Sequence, residues 1–131
     1  MKLSANDIFI IIPVILVSMA IHEAMHAFTS HWLGDRTAKD MGRLTLNPLK
    51  HVDLYTTLFL PVFLILLGLP PIFIAKPVPF NPDRVKYDEF GVALVGVSGP
   101  LTNLLLASIG ALILRFASLP TGVLNVMVIF V

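Results

Sequence analysis

Residues 8–28 read IFIIIPVILVSMAIHEAMHAF, an apolar run whose only ionisable side chains are His22, Glu23 and His26. If this run is helical, His26 lies one turn after His22, about 40° further round the axis, so that the two imidazoles can reach one ion. Glu23 lies beside them, close enough to take a proton from an attacking water molecule. The spacing therefore predicts a metal-dependent hydrolase site with His22 and His26 as ligands and Glu23 as the general base.

A solvated helix face is the alternative explanation for three polar residues one turn apart. The surroundings argue against it, because residues 8–21 carry no charge and apolar residues continue around His26. Ionisable groups at membrane depth cost about 2.5 to 3.5 kcal/mol each on insertion scales, so they are functional by default.

The composition of the chain is that of a membrane protein. Of the 131 residues, 56% are hydrophobic and 13% are charged, whereas a soluble domain has about 25% charged residues. The net charge of +1 gives no reason to expect a nucleic acid partner. The absence of cysteine excludes disulfides, thiolate metal ligands and a cysteine nucleophile.

Three apolar segments predict membrane spans, at about residues 7–33, 54–75 and 90–114. A fourth apolar run starts near residue 123 and stops too soon to cross a bilayer, so we expect a single transmembrane core over residues 1–131 that is cut within that run. Prolines make residues 54–75 irregular. This segment is either a kinked span or a helix that ends early and continues as buried extended chain.

Small residues mark the helix faces that we expect to pack closely. In the first span they are Ala20, Ala24 and Ala27, and in the third they form a stripe with a period of four: Gly99, Asn103, Ala107 and Ala111. Asn103 is the one strongly polar side chain of this stripe. It either forms a hydrogen bond across a helix interface or orients a peptide or an oxyanion in a site.

The polar residues 34–53 contain an alternating run, Arg43, Leu44, Thr45 and Leu46. This alternation favours a short edge strand that could bind an extended peptide through main-chain hydrogen bonds, and an irregular loop is the alternative. Residues 76–82 contain three prolines, which predict extended chain. That extended chain either lines a substrate groove or serves as a rigid connector.

Three motifs follow one another along the chain: His22-Glu23-x-x-His26, the run from Gly42 to Asp53, and Gly99-Pro100-Leu101-x-Asn103. Together they resemble the site-2 protease family of intramembrane zinc metalloproteases, in particular its small prokaryotic members without an inserted PDZ domain. The resemblance implies a zinc ion bound by the two histidines, with the glutamate between them as general base. It also implies that Asn103 supports the site, and that residues 43–46 belong to a membrane-associated sheet on the substrate side.

The resemblance implies an all-α membrane protein, namely a helical transmembrane bundle with a short membrane-associated β strand or hairpin region. The implied reaction is hydrolysis of peptide bonds in or near transmembrane segments. The implied partners are a transmembrane protein or peptide substrate and the lipid bilayer, and the implied location is the inner membrane of a prokaryotic cell.

One part of the family pattern is missing from the chain. Family members supply an aspartate on a later transmembrane helix as the third zinc ligand, and we expect it beyond residue 131. Asp53 or His51 is the alternative if the polar loop folds back over the site, although the two also suit a plain interfacial pair.

Two other functions stay open from the sequence. A non-catalytic relative would bind membrane segments without cutting them, which would explain the missing ligand. A membrane metal carrier would use the histidines as transit ligands, but residues 54–75 and 90–114 contain no further acid or histidine to line a path.

Overall fold

The computed structural model describes residues 5–116, with side chains from residue 12 onwards. Its helices in chain order are α1 (Ala5–Trp32), α2 (Thr37–Asp40), α3 (Leu60–Leu66) and α4 (Asp88–Phe116). A π-helical turn, Leu54–Phe59, leads directly into α3, and short 3-10 turns lie at Pro48–Lys50 and Pro82–Arg84. Within the described residues, two helical stretches are long and apolar enough to cross a membrane, Ile12–Trp32 and Asp88–Phe116.

Helices α1 and α4 form the main helix pair, and α4 packs on the face of α1 that carries the two histidines. The alanine face of α1 is buried as expected, with Ala20, Ala24 and Ala27 at most 1% exposed. Part of this face meets the short helix α2 and the irregular chain before α4, because Ala27 packs against Ala38 and Val78. Helix α1 is therefore held from two sides, which fixes the direction in which its polar residues point.

The small-residue stripe of α4 is buried only in part. Gly91, Val95 and Gly99 form a buried row with a period of four, whereas Ala111 is exposed. Helix α4 continues without a break through Pro100. The buried row in the first half of α4 thus lies opposite the histidines, and Gly110 is buried in the second half.

The helix of the apolar segment 54–75 ends early, as in the second of the two expected forms, but the chain that follows it up to residue 75 is mostly exposed rather than buried. Its helical part ends at Leu66 and is about 20 Å long, which is less than the roughly 30 Å of a bilayer core. Gly68, at a φ of 72°, turns the chain away from the helix axis, and the following prolines keep it extended. Residues 54–75 therefore do not form one kinked helix, and a crossing of the membrane by this segment stays a prediction. The expected fourth run near residue 123 lies outside the described residues.

The expected β strand or hairpin at Arg43–Leu46 is also wrong, because residues 5–116 are helical or irregular throughout. Local hydrogen bonds hold this run as a tight loop: the Thr45 N–H donates to the Arg43 carbonyl, and the Thr45 hydroxyl accepts from the Asn47 N–H. The buried Arg43 guanidinium donates to the Lys50 carbonyl. These bonds within the loop replace the pairing that a strand would need.

A buried carboxylate ties the end of α1 to the chain before α4. Asp35 accepts hydrogen bonds from Thr37 N and Oγ1, at 3.0 and 2.6 Å, and from Asn81 N at 2.8 Å. Burial raises the pKa of this carboxyl, but the hydrogen bonds and the nearby Arg84 outweigh burial. The pKa of Asp35 therefore lies below its ordinary value of 3.8.

Asp35→Asn is expected to destabilise the protein at neutral pH by about 1.5 to 3 kcal/mol, because a charged acceptor of three hydrogen bonds is lost. A depressed folded-state pKa gives stability that is complete above the unfolded-state pKa and is lost as the pH falls through the folded-state pKa. Denaturant unfolding in detergent, from neutral pH downwards, should show the difference between wild type and variant shrinking below about pH 4. Asp40→Asn, on the exposed turn α2, is the control. A difference that stays constant through this pH range would contradict the assignment.

Candidate metal centre

Three potential ligands gather on one face of α1. The donor atoms of His22, Glu23 and His26 all lie within 4.8 Å of one another, and each residue is partly buried. The helix itself produces this arrangement, because His22 and His26 are one turn apart. This is the one group of three or more such residues within the described part of the chain.

The inner nitrogen of His26 is fixed by α4. Its Nδ1 lies 2.6 Å from the Val95 carbonyl oxygen, so Nδ1 carries the hydrogen and donates it. Nε2 is then left with a lone pair, which is the state required of a metal ligand. The Ser98 hydroxyl lies 3.3 Å from the same Nδ1 and donates to the same carbonyl at 2.7 Å, which further orders this side of the ring.

Asn103 lies against the inner nitrogen of the other histidine. Its Nδ2 is 3.1 Å from His22 Nδ1, and its Oδ1 is buried without a hydrogen-bond partner. A metal on His22 Nε2 requires a hydrogen on Nδ1, and hence an acceptor beside it. Rotating the Asn103 amide by half a turn would bring its oxygen to that position. The buried Oδ1 is the acceptor that a metal-bound His22 would need.

A glycine on α4 makes room for both imidazoles. A Cβ at Gly99 would lie 2.5 Å from His26 Nε2 and 2.7 Å from His22 Nε2. The two outer nitrogens therefore converge on one small region beside the α4 backbone. This convergence, with a carboxylate beside it, fits a single metal ion of the kind that binds imidazole nitrogen.

An extended segment crosses the third polar residue. We call residues 74–81 the strap; within it, the Val78 N–H donates to Glu23 Oε2 at 2.9 Å.

Two cavities meet at Glu23 and Pro77. One, of about 400 Å³, also includes His22 and Asn103, and the other, of about 180 Å³, includes His26 and Val78. A further cavity, of about 410 Å³, is lined by the acidic turn at the start of α4 and by none of the three polar residues of α1.

The two alternative third ligands lie elsewhere in the structure. Asp53 Oδ1 accepts from the N–H groups of Tyr55 and Thr56 and so caps the π-helical turn. The hydrogen bond from the Thr56 N–H is the main cause that holds the pKa of Asp53 below its ordinary value. His51 is buried, and its Nε2 donates to the Thr45 carbonyl at 2.8 Å. Neither residue joins the group of potential ligands on α1.

The chain matches no protein-family model and no solved structure. It is 40% identical over 100 residues to the protein named "Putative zinc metalloprotease YwhC" from Bacillus subtilis, and the match covers 76% of this chain and 42% of that protein. Proteins named "Putative zinc metalloprotease Rip2" from Mycolicibacterium smegmatis and Mycobacterium tuberculosis are 37% and 35% identical over 95 residues, which is 70% of this chain and 34% of theirs.

The chain is homologous to these proteins of the site-2 protease family. It spans less than half the length of these relatives. The two cavities that meet at Glu23 are not lined by Arg43, Leu44, Thr45 or Leu46. Leu44 packs behind the strap, against the cluster that contains Val78. A role for these four residues in substrate binding stays a prediction.

Several groups at the centre could not be found from the sequence. The Val95 carbonyl and the Val78 N–H are backbone groups. A valine in the sequence does not indicate that its backbone forms a hydrogen bond with a distant side chain. The one available signal for Val78 is its position between Pro77 and Pro79, which predicts extended chain but not what that chain crosses.

Proposed function

We propose that this chain forms the zinc-binding part of an intramembrane metalloprotease, which hydrolyses peptide bonds in or near the transmembrane segments of membrane protein substrates. The observation that carries the proposal is the convergence of His22 Nε2 and His26 Nε2 beside Glu23, on a helix apolar enough to cross a membrane. The names of the relatives support zinc as the metal and proteolysis as the reaction.

His22 and His26 would hold the zinc ion through their outer nitrogens. When bound there, zinc supplies Lewis-acid chemistry, polarising an attacking water molecule and the substrate carbonyl. The Val95 carbonyl keeps the hydrogen of His26 on Nδ1, and the Asn103 amide oxygen would do the same for His22. Apart from Glu23, no third potential ligand among the described residues joins the two histidines. We propose that the two histidines already bind the ion and that a ligand from outside residues 5–116 completes its coordination.

Glu23 would move the protons of the reaction. Its carboxylate accepts a proton as water attacks the peptide carbonyl and returns that proton to the leaving amine. Oε2 is held by the Val78 N–H, so Oε1 is the oxygen available for this transfer. Partial burial of the group limits bulk water at the reacting bond while the adjoining cavities admit a substrate.

The substrate class follows from the location proposed for the site. A helical substrate in the membrane has its carbonyls in internal hydrogen bonds, so it must unwind locally before one of them can be attacked. Each of the two cavities that meet at Glu23 would receive an apolar side chain next to the bond to be cut. The lipid bilayer is the second partner, and the inner membrane of a prokaryote is the proposed location.

Metal removal tests the proposal. Zinc-loaded chain in liposomes, mixed with a solubilised bacterial membrane fraction, is expected to create new protein N-termini within or next to transmembrane segments. A zinc chelator should abolish them, and added zinc should restore them. New termini spread over soluble domains would contradict cleavage within the membrane. A zinc-loaded chain that creates none would contradict proteolysis and favour the non-catalytic relative.

A further inference from the structure

The carboxylate of Glu23 receives one directed hydrogen bond in the part of the chain that the structure describes. The donor is the backbone N–H of Val78, 2.9 Å from Oε2 and 55 residues away in sequence. Because a freely rotating glutamate samples several rotamers, a fixed donor on one oxygen selects one orientation of the carboxylate. The orientation of Glu23 therefore depends on where the strap holds Val78.

The strap is anchored on both sides of Val78. On one side, the Ile74 carbonyl accepts from Thr57 Oγ1 at 2.6 Å, and the Lys76 N–H donates to the His51 carbonyl at 2.9 Å. On the other side, the Asn81 N–H donates to Asp35 Oδ2 at 2.8 Å. These bonds attach the strap to the π-helical turn, to the polar loop and to the end of α1, so its middle has little freedom to move.

The two prolines limit what the middle of the strap can donate. Pro77 and Pro79 have no N–H, so Val78 offers the one backbone donor between Lys76 and Phe80. The prolines also fix φ on both sides of Val78, which lowers the number of backbone conformations that compete with the observed one. The Val78 side chain is 8% exposed and packs against Ala27 and Ala38, which holds the strap down on α1.

We infer that the Val78 N–H is a positioning group for Glu23, which holds Oε2 and presents Oε1 to the water that attacks the substrate. The inference rests on the proposed function, since the Glu23 carboxylate needs a fixed orientation only if it transfers a proton. The Val78 N–H itself contacts neither the substrate nor the reacting atoms in this role. A rigid connector that merely closes the fold is the competing explanation, and the two explanations predict different kinetics.

Val78→Pro removes the donor, whereas the conservative Val78→Ala keeps it. We expect Val78→Pro to lower kcat by about 10- to 100-fold, because the Glu23 carboxylate loses its fixed orientation. KM should change by no more than about twofold, because the cavities proposed to receive the substrate remain. Val78→Ala is expected to recover most of that loss, although it removes apolar contact with α1. The substrate is a peptide identified from the new N-termini, and zinc content is measured for every sample.

Equal kcat values in Val78→Pro and Val78→Ala would overturn the inference, and so would a loss confined to KM. Hydrogen exchange gives a second test that needs no activity. In the [15N]valine-labelled chain, the Val78 amide should exchange at least about tenfold faster in Glu23→Ala than in wild type, with the helical Val92 amide as internal control. Unchanged exchange would also overturn the inference. The expected change in exchange, with zinc-loaded wild type that cleaves nothing, would instead refute the proposed function.

Discussion

Glu23→Gln is expected to lower the rate of substrate cleavage by about 10²- to 10⁴-fold, because an amide cannot accept the proton of the attacking water. The variant keeps the size of the side chain, and its amide oxygen can still accept the Val78 N–H. The two histidines are untouched, so zinc content should stay at the wild-type level. The measurement is the initial rate of appearance of one defined N-terminus, at equal zinc content.

The matched control for this prediction is Glu89→Gln, at the exposed start of α4. It removes the same charge from the chain and should leave the cleavage rate within about twofold of wild type, as surface substitutions away from a site usually do. Cleavage by Glu23→Gln at the wild-type rate would show that Glu23 is not the general base.

Outside the three potential ligands, Gly99→Ala is the substitution expected to have the largest effect on metal binding. The added methyl group would lie 2.5 Å from His26 Nε2 and 2.7 Å from His22 Nε2, so both imidazoles would have to move or α4 would have to separate from α1. Displaced ligands and broken bonds to Val95 and Asn103 should weaken zinc binding by at least about 10- to 100-fold. Competition with a chelator of known affinity, read by zinc titration in detergent, measures this change.

Gly96→Ala provides a close control, because it lies one turn earlier on α4 and its Cβ would have nothing within 4 Å. It should leave zinc affinity unchanged and raise stability slightly, by up to about 1 kcal/mol, since alanine favours helix more than glycine does. Equal zinc affinity in the two variants would contradict the packing of the histidines against Gly99.

The helical core was predictable because its signals are local. The period of a helix brings His22 and His26 onto one face. The uncharged residues before the histidines predict α1, and the uncharged residues 90–114 predict α4. The alternation at Arg43–Leu46 led to the wrong prediction of a strand, because a strand needs a second strand to pair with. The local hydrogen bonds of Thr45 and Arg43 form a loop instead. A pattern of alternation carries no information about whether a second strand is present.

The approach of the strap to Glu23 could not be predicted, because it joins residues 55 positions apart through a backbone hydrogen. Prolines at 77 and 79 indicate extended chain, but the direction of that chain is set by the anchors at Thr57, His51 and Asp35. The role of Gly99 was hidden for a related reason: a glycine in an apolar helix suggests close packing, but the histidines that occupy the space come from α1.

The most direct test of the account is the zinc content of the purified chain in detergent, after zinc loading and removal of free metal. The variants are His22→Ala, His26→Ala and His31→Ala, and the last is a control on the same helix outside the ligand group. Wild type and His31→Ala are expected to hold about one zinc ion per chain and the other two variants nearly none, because the site depends on both converging nitrogens. Zinc retained equally by His26→Ala, or absent from wild type, would contradict the account.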